Sequence, residues 1–130
     1  MNAMGDMTMG LILFAHGARD PRWAEPFAAV AQRLHQLQPA LQVRLAFLEF
    51  MSPSLADAAA ELVQAGCLQI TVLPMFLGAG GHVRKDLPQL VDAIRASWPA
   101  VTITVVAAIG ETDTVLDAMA AAALRATRAR

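Results

Sequence analysis

Four short apolar runs alternate with four longer stretches of mixed polarity, and this alternation constrains the fold more than any other property of the chain. The runs are Leu11–Ala15, Gln42–Leu48, Leu68–Leu73 and Val101–Val106. Runs this short and mostly apolar read as strands buried on both faces. Helical patterns cover the intervals from about Trp23 to Leu37, from Pro53 to Gly66, from Arg84 to Ser97, and through a final alanine-rich segment that Thr112 or Asp113 caps. Strands that alternate with amphipathic helices predict an α/β fold, a parallel sheet with helices on both faces. Right-handed crossovers favour the flavodoxin-like strand order 2-1-3-4, with a crevice between strands one and three.

Local punctuation agrees with this reading. Asp20-Pro21 breaks the chain before the first helix, where Pro26 is tolerable only in the first turn. Ser52-Pro53 reads as a helix start, serine as N-cap and proline at the first helical position. Gly66 is a natural C-cap. The basic end of the last helix, with Arg125, Arg128 and Arg130, complements its dipole. Residues 1–9 are expected to form a flexible tail, and 10–130 one domain. Four strands are few for this architecture. A free sheet edge and a cleft open on one side predict a homodimer.

A chain of 130 residues is one domain's worth, and 56% apolar content suffices for a core covered from both sides. The formal charge of −1 gives no electrostatic case for nucleic acid or an anionic membrane as partner. No apolar run approaches the ~20 residues that span a bilayer. Leu11–Ala15 is too short for a signal sequence. The expected compartment is the cytoplasm. The single cysteine, Cys67, excludes an intrachain disulfide and a thiolate zinc cluster, and is expected to be a buried structural thiol.

The predicted strands deliver three chemically active side chains at equal spacing: His16, Glu49 and His82. Each follows an apolar run, and in an open parallel sheet the strand ends are where ligands bind. Two imidazoles and a carboxylate suit a divalent transition metal together with proton transfer. His16 precedes Gly17, which presents the imidazole with little steric cover. Glu49 lies in Leu48-Glu49-Phe50-Met51, where apolar neighbours predict a desolvated carboxylate poised as acid or base. His82 ends the loop Gly78-Ala79-Gly80-Gly81-His82, whose glycines allow close backbone approach to a ligand. No Gly-Lys-Ser/Thr follows, so this is not a Walker phosphate loop. A histidine-phosphatase reading of His16-Gly17 wants an arginine before the histidine, and Ala15 stands there.

Arg19 and Arg22 lie near His16, and Arg84 and Lys85 follow His82. Cations at one sheet edge suit a polycarboxylate, although solvated surface charge explains each as well. His35 sits mid-helix and reads as surface. Trp23, Trp98 and the phenylalanines read mainly as core or helix-packing residues.

Three boxes resemble those of the small CbiX/SirB class of sirohydrochlorin chelatases. The first is Ala15-His16-Gly17-Ala18-Arg19-Asp20-Pro21, with Ala18 where the family often has serine. The second is Phe47-Leu48-Glu49 followed by Pro53-Ser54-Leu55. The third is Leu73-Pro74-Met75-Phe76-Leu77 with Gly80-Gly81-His82-Val83 and Asp86-Leu87-Pro88. They occur in order over nearly the whole chain.

The resemblance implies a chelatase-like half-domain and ATP-independent insertion of a divalent metal into sirohydrochlorin, in cobalamin or siroheme synthesis. It implies no permanent cofactor, the metal (Co²⁺, Fe²⁺ or Ni²⁺) being a substrate. Larger members carry two such halves in one chain, which again favours a homodimer. His16, His82 and Glu49 are then the expected metal ligands and catalytic groups, Glu49 as proton acceptor or third ligand. Arg19, Gly78, Gly80, Gly81, Arg84 and Lys85 are the expected contacts for the macrocycle's acetate and propionate groups. A metal or tetrapyrrole carrier with the same trio, and a phosphoryl-binding domain of this fold, are the alternatives.

Overall fold

The computed structural model describes residues 8–78 and 80–128, apart from the side chain of His82. Its strands are β1 (Thr8–Ala15), β2 (Gln42–Phe47), β3 (Cys67–Pro74) and β4 (Thr102–Val105). Its helices are α1 (Glu25–Leu37), α2 (Leu55–Gln64), α3 (Gly81–Ser97) and α4 (Asp113–Arg128). Single 3₁₀ turns at Pro21–Ala24 and Ile109–Glu111 precede α1 and α4. All strands are parallel and the sheet order is β2-β1-β3-β4, as the crossover argument predicts.

Period-two alternation divides the core. Ile12, Phe14, Ala46, Ile70, Val72 and Ile103 point to one face, where they meet Leu55, Ala58, Ala59 and Leu62 of α2 and Leu87, Val91 and Ile94 of α3. Phe14 packs edge-on to Phe76, centroids 6.1 Å apart. Phe47 lies on the other face, beneath Trp23, which also stacks on Phe27 of α1. Cys67 is fully buried. His35 is exposed on α1.

Several boundaries differ from the sequence reading, each for a physical reason. β1 begins at Thr8, so Thr8 and Met9 belong to the sheet and not to a tail; residues 1–7 lie outside the described residues. The N-cap of α2 is Ser54, not Ser52: its side chain accepts from the Asp57 backbone N–H at 3.1 Å. The Pro53 carbonyl is taken by the Phe47 N–H at 2.9 Å, a bond that ties the loop to β2 and keeps Pro53 out of the helix. Gly66 follows the end of α2 with φ +94°, the left-handed conformation its C-cap role requires. α3 begins at Gly81, so His82 lies in its first helical turn and not in a loop. Pro88 lies inside α3 and offers no N–H to the Arg84 carbonyl one turn before.

α4 is the exception to the layered packing. It rests on the 3₁₀ turn before it, and none of its described residues is buried. Val115, Leu116, Met119 and Ala123 form one apolar stripe by helical spacing, and Leu116 and Met119 are exposed. Among the described residues no helix is long and apolar enough to cross a membrane.

Candidate active site

The carboxyl ends of the strands are tied together beyond the sheet proper. The Leu48 N–H donates to the Ala15 carbonyl at 3.0 Å and the Glu49 N–H to the His16 carbonyl at 3.0 Å. On the other side of β1 the Met75 N–H donates to the Phe14 carbonyl at 2.7 Å. The β2 chain is thus zipped along β1 for two residues past Phe47, and Glu49 is carried to His16. Gly17 has φ +99°, and a Cβ there would collide with the Glu49 carbonyl oxygen. The His16 turn is held against the Glu49 backbone at a distance only glycine permits.

His16 Nε2 and Glu49 Oε1 stand 2.9 Å apart, their side chains 43% and 45% exposed. The two atoms are within hydrogen-bond distance, the imidazole tautomer setting which of them carries the proton. A transition-metal ion with bonds of ~2.1 Å to each would subtend about 90° at this separation, the cis edge of an octahedron. A separation of 2.9 Å is thus compatible with a shared proton or with a divalent cation. The buried carboxylate expected at Glu49 is not what the fold provides. Its apolar sequence neighbours diverge in space: Phe47 points into the core, while Phe50 is itself exposed.

The third member of the expected trio is placed only in part. His82 belongs to the first turn of α3, at the same edge of the sheet, and its side chain lies outside the described residues. Among the described residues no group of three His, Cys, Asp or Glu side chains converges as a metal site. Gly78, Gly80 and Gly81 are exposed, and a Cβ on any of them would meet open space, so close packing does not require glycine there.

The cations fall into different surroundings. Arg22 is paired with Asp20 at 2.8 Å, an exposed bridge that holds the Asp20 carboxyl below its ordinary range and leaves Arg22 engaged. Arg19 instead lies over the Phe50 ring, its guanidinium carbon 4.8 Å from the centroid. Lys85 is exposed on α3. Arg84 lines a groove of about 640 Å³ between α3 and β4, together with Phe76, Val83, Leu87, Val105 and Val106. Neither His16 nor Glu49 lines this groove. Its Arg95 is already bonded to the Ile103 carbonyl at 2.8 Å. Volume alone does not make it the reactive site; the histidine–carboxylate pair lies outside it.

Phe50 is the residue that the sequence reading missed at this edge. Sequence groups it with the core phenylalanines, yet it is 56% exposed with φ 68°. The only sequence signal is its position, directly after a strand-end carboxylate where inward-facing alternation has stopped.

The CbiX family model matches residues 10–126. A sirohydrochlorin cobaltochelatase of Saccharolobus solfataricus is 32% identical over 83 residues, covering 64% of this chain and 63% of that protein. The chain thus spans less than two thirds of that relative's length. A crystal structure described as a cobalamin (vitamin B12) biosynthesis CbiX protein from Marinobacter aquaeolei VT8 superposes with TM-score 0.82. It is 31% identical, over 92% of this chain and 98% of that one. The sirohydrochlorin chelatase SirB from Bacillus subtilis subspecies spizizenii, in complex with cobalt, superposes with TM-score 0.75 at 23% identity. That match covers 86% of this chain and 48% of SirB.

Proposed function

The chain belongs to the CbiX family, and from that premise we propose that it inserts a divalent metal, Co²⁺ or Fe²⁺, into sirohydrochlorin without ATP, in cobalamin or siroheme synthesis in the cytoplasm. The observation that carries this reading is the 2.9 Å pairing of His16 Nε2 with Glu49 Oε1 at the end of the central strand. Insertion requires a hydrated cation to be held and partly stripped of water. It requires two pyrrole N–H protons to leave, and a flat macrocycle to be oriented toward the ion.

His16 is the proposed metal ligand, joined by His82 from the first turn of α3. Imidazole is matched to Co²⁺, Fe²⁺ and Ni²⁺ alike, so these residues impose no choice among them. Glu49 is the proposed third ligand and proton acceptor. While the cation sits between Nε2 and Oε1, the carboxylate helps neutralise its charge. As the cation passes to the macrocycle nitrogens, that carboxylate oxygen is freed within reach of the departing pyrrole protons. Glu49 takes up one of the two pyrrole protons as the dication leaves, and the second proton is released to water. The metal is substrate throughout, and the reaction calls for no resident cofactor.

Arg19, Arg84, Lys85 and the Gly78–Gly81 segment are the proposed contacts for the acetate and propionate groups, with arginine best matched to carboxylates. We further propose that the working unit is a homodimer. The bare stripe of α4 is a surface that a second copy would cover. The SirB structure holds this fold in about half its length, which a second copy would complete.

Anaerobic steady-state insertion tests the reading. Sirohydrochlorin and Co²⁺ in large excess over protein should be converted through many turnovers, followed by the absorbance change of the macrocycle. Product that stops at one equivalent per chain would make the protein a carrier and contradict insertion.

A further inference from the structure

Phe50 is a bulky aromatic residue with φ 68°, in the left-handed region that such residues rarely occupy. The residue is nevertheless 56% exposed, so the strained backbone does not serve core burial. Its peptide follows Glu49, whose N–H is bonded to His16. Phe50 is therefore the residue directly after the carboxylate of the reactive pair. Arg19, three residues after His16 on the neighbouring loop, lays its guanidinium over that ring at 4.8 Å. On the other flank of His16, beyond β3, Leu77 is also exposed, at 67%.

We propose that Phe50 and Arg19 form a substrate-positioning platform, the ring supporting the flat face of the macrocycle and the guanidinium binding its carboxylate rim. This rests on the chelatase reading above. The physical case has two parts. A conjugated macrocycle is apolar on its faces and anionic at its edge, and an aromatic ring beside a guanidinium presents both complements. A guanidinium stacked on an aromatic face keeps its edge N–H groups free to donate in plane, so the stack orders Arg19 before substrate arrives and reduces the rotamer entropy lost on binding. Leu77 would limit the macrocycle on the opposite side. The left-handed conformation at Phe50 is then the means by which a residue next to the metal-binding carboxylate turns its ring outward rather than into the core.

The test compares Phe50→Asn, which the left-handed backbone accepts, with Phe50→Trp, which keeps an aromatic face. Equilibrium titration of metal-free sirohydrochlorin gives Kd independently of turnover. Phe50→Asn should weaken it about tenfold, the scale of one aromatic contact, and raise KM in parallel, with kcat within about threefold. Its melting temperature should not fall, its Co²⁺ affinity should be that of the wild type, and Phe50→Trp should restore Kd to within about twofold. A Kd unchanged in Phe50→Asn overturns the platform and leaves the chelatase reading standing. A changed oligomeric state with Kd unchanged also overturns it, and places the ring at a subunit interface instead. Wild-type protein that binds sirohydrochlorin but never turns over contradicts the chelatase reading, while the Kd comparison still decides the role of Phe50.

Discussion

Gly17 and Glu49 are in backbone contact: the turn after His16 presses on the Glu49 carbonyl so closely that no Cβ fits. The φ of +99° at Gly17 independently excludes a side chain. Gly17→Ala should therefore cost about 2–4 kcal/mol of stability, a clash added to left-handed strain, and should separate His16 from Glu49. Gly66 has a similar φ of +94° but open space around its Cβ position. Gly66→Ala should cost only about 1–2 kcal/mol and leave metal binding intact. Urea denaturation of the two variants makes the comparison. Equal costs would show that the Gly17 contact is not close in solution.

The histidines should separate by position. His16→Ala and His82→Ala should each weaken Co²⁺ binding by at least about tenfold, the scale on which losing even a residue that only supports a metal ligand is felt, with the fold retained by circular dichroism. His35, exposed on α1, should be replaceable without effect. Calorimetric titration of all three variants decides. Equal losses at all three positions would refute the strand-end assignment. Co²⁺ affinity of the wild type should also fall with acid, because imidazole and carboxylate must be deprotonated to bind.

How the site was legible follows from the same geometry. Parallel strands joined by helical crossovers bring their carboxyl ends to one edge, so a polar residue just after each apolar run meets its counterparts there. That logic joined His16 to Glu49 across β1 and β2 from the sequence alone. It failed where tertiary bonds override local pattern. Ser52-Pro53 has the residues of a helix start, but the Phe47 N–H claims the Pro53 carbonyl, and Ser54 caps the helix instead. Apolar neighbours in the sequence suggested a desolvated Glu49, yet a strand end splays consecutive side chains apart. Phe50 was unreadable for the same reason. The bare face of α4 could not be told from a covered one, because amphipathic spacing reports that a face needs a partner, not whether its own chain supplies one.

Cys67 should be inert in the native protein. It is fully buried at the start of β3, and burial pushes its thiol pKa up, which reduces the thiolate that reacts. A thiol reagent at pH 8 should label one equivalent after denaturation and almost none before. Rapid native labelling would show that the β3 and α2 packing opens readily.

The stripe on α4 predicts self-association. The wild-type chain should scatter light as a dimer at micromolar concentration, and a Leu116→Asp, Met119→Asp double variant should be monomeric. Both side chains are exposed in the single chain, so these charges should not unfold it. A wild-type monomer with full activity would contradict the homodimer.

The central claim is that one carboxylate oxygen first helps hold the cation beside His16 and then takes up one of the two pyrrole protons. Single-turnover insertion of Co²⁺ by Glu49→Gln, with Co²⁺ affinity measured on the same sample, tests it most directly. The substitution keeps the shape and the hydrogen-bonding reach to His16 Nε2 while it removes the basicity. Co²⁺ should still bind, within about tenfold of wild type, and the insertion rate should fall by about 10²-fold or more, the scale of a lost general base. Insertion at the wild-type rate in Glu49→Gln would contradict the account and reduce Glu49 to a partner that merely orients His16.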